Sequence, residues 1–100
     1  MVAFLGATVS EETVPPDVRE TLCQLFDETR ERANDQPETA YEQLDSARRV
    51  SETKVPASEL REQLLHGCAA ATDALDENDP ALAAEYAAAM ARRVREAESE

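Results

Sequence analysis

Apolar residues recur at three- and four-residue steps along four stretches of the chain, which predicts four amphipathic helices. We expect the first from about Pro16 to Asn34 and the second from about Pro37 to Thr53. The third is expected from about Ala57 to Glu77, and the fourth begins at Asn78-Asp79-Pro80, where Asp suits the cap and Pro the first helical position. Gly67, in mid-helix, costs about 1 kcal/mol against Ala, so it is predicted to let another helix approach closely.

Each predicted helix has one stripe of residues that should face the core. The stripe residues are, helix by helix, Val18, Leu22, Leu25, Phe26, Thr29 and Ala33; Ala40, Tyr41, Leu44 and Ala47 with Val50 at the edge; Leu60, Leu64, Cys68, Ala71 and Leu75; and Leu82, Ala83, Tyr86, Met90, Val94 and Ala97. Alanine fills the other sides of the fourth helix, so several of its faces permit close approach.

The two halves of the chain echo each other. VPASELREQLL at Val55–Leu65 resembles VPPDVRETL at Val14–Leu22, and a shift of 42 superimposes their Arg-Glu-x-Leu segments. A shift of 44 superimposes Asn34-Asp35 on Asn78-Asp79 and Ala47-Arg48-Arg49-Val50 on Ala91-Arg92-Arg93-Val94. The echo predicts a duplicated helical hairpin, with repeats 14–54 and 55–100. Two repeats are too few for a solenoid, so we predict an all-α four-helix bundle with approximate internal two-fold symmetry.

Residues 1–13 precede this 14–100 helical domain and are predicted to form an N-terminal arm. Val2, Ala3, Phe4 and Leu5 are apolar, and the stretch could be an arm packed on the bundle, a short strand or a frayed terminus. Exposure of the Phe4-Leu5 pair would be costly. We therefore expect the arm to dock on its own chain or on a partner, with Phe4 and Leu5 as candidate dimer contacts.

The composition points to an unusual environment. The chain carries 22 acidic and 10 basic residues, for a net charge of −12, and only one of the basic residues is Lys. This acid-rich, Lys-poor and Ala-rich composition resembles that of proteins from salt-in halophiles, where molar salt screens self-repulsion. An ordinary acidic cytosolic protein is the alternative. The first ten residues lack a basic segment and no apolar run is long enough to cross a membrane, so a cytoplasmic location is expected.

Cys23, His66 and Cys68 are the soft metal ligands of the chain. A zinc site needs three or four ligands that converge on one point, whereas His66 and Cys68 lie about 200° apart on a helix. These three residues are weak metal candidates, and the preferred interpretation is that the cysteines are buried and inert. No cofactor is expected.

Doubled arginines occur near the ends of the second and fourth helices, at Arg48-Arg49 and at Arg92-Arg93 with Arg95. In a symmetric bundle they would occupy equivalent places and could form anion- or partner-binding patches, because guanidinium groups bind carboxylate and phosphate well. The alternative, which we prefer, is compensation of the helix dipole together with surface ion pairs to Glu52, Glu96 and Glu98.

No motif for enzymatic chemistry is present: there is no phosphate-binding glycine loop, nucleophile elbow or H-E-x-x-H segment. We therefore expect a non-enzymatic interaction or regulatory module that works through helix faces. A homodimer is expected, with the Phe4-Leu5 arm or the Ala-rich face of the fourth helix between chains. One alternative is a DNA-associated regulator, although no helix carries a face suited to base reading. A metal- or small-molecule-binding bundle is the second alternative.

Overall fold

The computed structural model describes residues 14–98, and all of its regular structure is helical. The helices are α1 (Pro16–Arg32), α2 (Pro37–Lys54), α3 (Glu59–Asp76) and α4 (Pro80–Glu98). Three short connections, 33–36, 55–58 and 77–79, join them in sequence. The prediction of an all-α fold is confirmed.

The four helices close into a bundle in which each helix packs against two others. The contacting pairs are α1 with α2, α2 with α3, α3 with α4, and α4 with α1. The prediction of a four-helix bundle is confirmed, and the short connections, which make chain neighbours antiparallel, give it an up-down-up-down order. None of these helices is both long enough and apolar enough to cross a membrane within residues 14–98.

The core combines a few large side chains with many alanines. Leu22, Phe26, Leu44, Leu64 and Val94 are fully buried. Around them the buried alanines are Ala33, Ala40, Ala47, Ala71, Ala74, Ala83, Ala87 and Ala91. Because a methyl group takes little room, the helices can approach closely without leaving voids between them.

Four helix ends differ by one or two residues from the sequence prediction, and α2 ends at Lys54 and α3 at Asp76, one residue from the predicted Thr53 and Glu77. α3 begins at Glu59 instead of Ala57, because the Ser58 side chain caps the helix and accepts a hydrogen bond from the Arg61 N–H at 3.2 Å. α1 ends at Arg32 instead of Asn34. The predicted Asp79 cap of α4 is confirmed, since its carboxylate accepts from the Leu82 N–H at 3.2 Å.

The prediction of the buried stripe of α4 was partly wrong. Leu82 and Tyr86 were predicted to face the core, but each is 36% exposed. Ala87 and Ala91 are buried instead. The helix is rotated so that its alanines meet the bundle axis, which lets α4 lie close to its neighbours and leaves the two larger side chains on its flank.

The burial pattern also refines the alignment of the two halves. A shift of 42, which also aligns the Arg-Glu-x-Leu segments, places buried Leu22, Phe26 and Thr29 of α1 on buried Leu64, Cys68 and Ala71 of α3. For α2 and α4, a shift of 43 superimposes buried positions, whereas the shift of 44 taken from the arginine pairs places buried Ser51 on exposed Arg95. The superimposed pairs at a shift of 43 are Ala40 and Ala83, Leu44 and Ala87, Ala47 and Met90, and Ser51 and Val94.

Candidate functional site

The arginines of α2 are held by carboxylates of the same helix. Arg48 donates to Asp45 at 2.8 Å and to Glu52 at 3.0 Å, which are its neighbours at i−3 and i+4. Arg49 pairs with the other oxygen of Asp45 at 2.6 Å. The two guanidinium groups hold the pKa of the Asp45 carboxyl below its usual range, chiefly through the Arg48 hydrogen bond. The positive charge of this pair is therefore largely balanced within α2.

The arginines of α4 point in different directions. Arg95 pairs with Asp27 of α1 at 3.2 Å, and Arg93 donates to the Gln63 side chain of α3 at 3.1 Å. Arg92 is exposed and forms no ion pair with any of residues 14–98. The expected equivalence with Arg48-Arg49 is not seen, because the core positions of α2 and α4 match one residue out of step with the arginine pairs.

A groove runs between α2 and α3 on the side of Arg48. It has a volume of about 450 Å³ and is lined by Tyr41, Leu44, Asp45, Arg48, Cys68, Ala69, Thr72 and Asp73. Its floor is apolar, since Leu44 and Cys68 are both buried. The Tyr41 hydroxyl donates to the Asp76 carboxylate across the groove, and this bond is the main reason that the pKa of Tyr41 is raised above its ordinary value.

The chemistry available in this α2–α3 groove is limited by its one thiol. Burial raises the pKa of Cys68 to about 12, and the nearby Arg48 charge offsets this effect only in part. At neutral pH the thiol therefore remains protonated and is a poor nucleophile. The sequence interpretation of Cys68 as a buried core residue agrees with this environment.

The three soft ligands are not brought together. Cys68 lies in the core beside α2, whereas His66 is exposed on the outer side of α3. Cys23 is half-buried on α1, where it lines a shallow surface with Arg19 and Arg95. In the part of the chain that the structure describes, no group of three or more His, Cys, Asp or Glu side chains is placed to hold a metal ion.

The outward flank of α4 is the feature that sequence reasoning missed. Leu82 and Tyr86 are the exposed large hydrophobic side chains of residues 14–98. They continue along the helix to half-buried Ala89 and exposed Arg93, and we call these four residues the α4 outer stripe. The sequence did carry a signal for this orientation, because Ala83, Ala87 and Ala91 form an equally regular apolar stripe. The other predicted dimer contacts, Phe4 and Leu5, lie outside the described residues.

Comparison with known proteins places the chain in a family without assigning an activity. A family model described as "Domain of unknown function (DUF8101)" matches residues 8–96, which is most of the chain. The chain therefore belongs to that family. Searches of curated proteins and of solved structures returned no match.

Proposed function

We propose that this member of a family of unknown function is a small non-enzymatic interaction module that docks a protein partner on α4. The observation that carries the proposal is the exposure of Leu82 and Tyr86 side by side on one flank of the bundle. They are one helical turn apart, so they form one continuous apolar patch. Exposed apolar surface that is contiguous and rimmed by polar residues is a feature of interaction sites.

The character of the two side chains supports protein binding. Tyrosine is enriched at protein interfaces, because it combines a large apolar ring with a hydroxyl that can remain hydrated. Arg93, at the other end of the α4 outer stripe, is held in place by Gln63 and adds a residue type that is also enriched there. An apolar stripe at helical spacing is the surface that another helix recognises.

A regulatory role would follow from the same surface, since a protein bound at α4 is brought under the influence of this chain. The two chemically distinctive groups of the bundle, the Cys68 thiol and the Arg48 guanidinium, support this view. Burial keeps the first protonated, and Asp45 and Glu52 balance the charge of the second.

Site-specific photocrosslinking tests the proposal. A benzophenone amino acid would replace Tyr86 in one variant and the exposed Gln24 of α1 in a matched control. Each purified variant would be irradiated alone and in an extract of the native host at native salt. We expect discrete protein adducts from position 86 and none from position 24. Equal adducts from both positions, or no adduct from position 86 in either setting, would contradict a docking role for α4.

A further inference from the structure

We propose that the partner on the α4 outer stripe is a second copy of this chain, with the two α4 helices packed antiparallel. This inference rests on the proposed function, because it names the occupant of the same surface. Three observations carry it: the spacing of the stripe, the distribution of charge along α4, and the small residue at the centre of the stripe.

The stripe has the spacing of a helix–helix seam. Leu82, Tyr86, Ala89 and Arg93 follow one another at steps of four, three and four residues. Alternating steps of three and four keep one side of a helix against a neighbouring helix over several turns. Within the bundle, α4 packs against α1 and α3. Arg93 of the seam donates to Gln63 of α3, but Leu82 and Tyr86 are exposed, so the helices of residues 14–98 leave this part of the seam uncovered.

Charge is distributed unequally along α4. Its first half carries Glu85, with Asp79 at the N-cap, and its second half carries Arg92, Arg93 and Arg95 together with Glu96 and Glu98. α3 adds a further acidic residue beside the N-terminal half of α4. Because Gly67 lies against Met90 and Gln63 against Arg93, the antiparallel register places Glu77 level with the first turn of α4.

The charges beside the second half of α4 are different. Gln63 of α3, which contacts Arg93, is uncharged. Glu96 follows on α4 itself and falls at the rim of the seam. The outer surface is therefore acidic around Leu82 and Tyr86 and most basic at Arg92 and Arg93.

Such a surface is complementary to itself only when the second copy runs in the opposite direction. A parallel pair would place acidic residues against acidic residues, whereas a two-fold axis beside Ala89 places Glu85 of each copy across from Arg92 of the other. Neither residue has an ion pair within residues 14–98. Tyr86 then lies against Arg93 of the second copy, an arrangement that favours a cation–π contact.

The two-fold axis of the proposed dimer passes beside Ala89, a small residue. Ala89 is half-buried and has no side chain beyond Cβ, so two α4 helices can cross there at short distance. Stable interfaces bury about 1,200–2,000 Å² in total, and one helix stripe supplies only part of that area. We therefore expect a reversible dimer whose association depends on concentration.

Reversing the charges of Glu85 and Arg92 in separate variants, and then mixing the variants, tests both that the partner is a second copy and that the two α4 helices are antiparallel. Sedimentation equilibrium would be measured at about 0.15 M salt, where the Debye length is about 8 Å and surface charges still interact. We expect Glu85→Arg and Arg92→Glu each to weaken the homodimer about tenfold or more, because each creates two like-charge contacts. An equimolar mixture of the two variants should recover the original affinity, since both contacts of the mixed dimer are then attractive. Glu31→Arg on α1 changes the net charge as Glu85→Arg does and should leave the affinity unchanged.

Each other outcome is decisive. A dimer that is indifferent to Glu85→Arg and Arg92→Glu, or that both variants weaken without recovery in the mixture, overturns the antiparallel α4 pair. A chain that stays monomeric at all concentrations overturns self-association. In that last case, crosslinks from position 86 to a host protein would still support the interaction module, so the two proposals can fail separately.

Discussion

Gly67 of α3 and Met90 of α4 are so close that the glycine has no room for a side chain. A Cβ atom at position 67 would stand 2.5 Å from Sδ of Met90 and 2.8 Å from its Cγ. Met90 is buried and fills the space above the glycine. The prediction that Gly67 permits the close approach of another helix is confirmed.

Whether Gly67→Ala raises or lowers the free energy of unfolding should depend on Met90. Alanine raises helix propensity by about 1 kcal/mol, but the clash forces Met90 to move, and overpacking costs about 1–3 kcal/mol. We expect Gly67→Ala to lower the free energy of unfolding in the unmodified chain. In a Met90→Ala background the clash is absent, so the same substitution should raise it by about 1 kcal/mol. Urea denaturation of the four chains measures both effects, and an effect of the same sign in both backgrounds would show that Met90 does not control this position.

Asn78 ends α3 in a backbone conformation that most residues avoid. Its φ is 63°, and the N–H groups of Asn78 and Asp79 donate to the carbonyls of Leu75 and Ala74 at 3.0 and 2.8 Å. This is the Schellman arrangement, in which glycine is the preferred residue. We expect Asn78→Ala to lower the free energy of unfolding by about 1 kcal/mol and Asn78→Gly to leave it equal or higher. Thermal unfolding of both variants tests this, and equal loss from both would rule out backbone strain as the cause.

The orientation of α4 predicts a contrast between two leucines. Leu64 is fully buried, so Leu64→Ala should cost about 2–5 kcal/mol, whereas Leu82→Ala should cost less than about 1 kcal/mol. Urea denaturation at a concentration low enough to keep the chain monomeric would measure both. A loss for Leu82→Ala that equals the loss for Leu64→Ala would restore the original prediction that Leu82 faces the core.

That original prediction shows where sequence reasoning reached its limit. Periodicity, prolines and the Asp79 cap were sufficient to locate all four helices. They could not set the rotation of α4, because alanine occurs on every side of it and the larger Leu82 and Tyr86 seemed the better core residues. The structure buries Ala83, Ala87 and Ala91 together with Met90 and Val94, and leaves Leu82 and Tyr86 on the flank.

The contacts of the candidate site also differ in whether the sequence alone could predict them. The pairing of Arg48 with Glu52 was predicted from the sequence, and its pairing with Asp45 follows from helical spacing in the same way. The hydrogen bond from Tyr41 to Asp76 could not be predicted, because it joins two helices and depends on their register. Contacts between helices are fixed by how side chains interlock in the core, which the pattern of one helix does not contain.

The Cys68 thiol should be unreactive until the chain unfolds. Its pKa is raised from an ordinary 9.0 to about 12, and a rise of three pH units lowers the thiolate fraction at neutral pH about a thousandfold. In a Cys23→Ser variant, an aromatic disulfide reagent should therefore react rapidly only after guanidinium is added. Equal rates before and after unfolding would show that the thiol is accessible and ionised in the bundle.

The raised pKa of Cys68 also predicts that the stability of the bundle depends on pH. The folded bundle holds the thiol proton more tightly than the unfolded chain does, so the contribution of Cys68 is complete below pH 9 and is lost as the pH rises toward 12. The free energy of unfolding should consequently fall more steeply above pH 9 in the unmodified chain than in Cys68→Ala. The Cys23→Ala variant is the control, and it should follow the unmodified chain. Identical slopes for the unmodified chain and Cys68→Ala would contradict the assigned pKa.

The phenol of Tyr41 should report on Asp76 across the α2–α3 groove. The hydrogen bond to this carboxylate is the largest cause of the raised pKa of Tyr41, followed by burial and by the negative charge of Asp76. In a Tyr86→Phe background only one tyrosine remains, so ultraviolet absorbance follows its titration directly. Asp76→Asn should lower the pKa of Tyr41 toward its ordinary value of 10.0, whereas Asp73→Asn, which removes a carboxylate on the same side of α3, should not. If both substitutions lowered the pKa equally, a general acidic field would explain the shift, and the contact between α2 and α3 at Tyr41 would not be its cause.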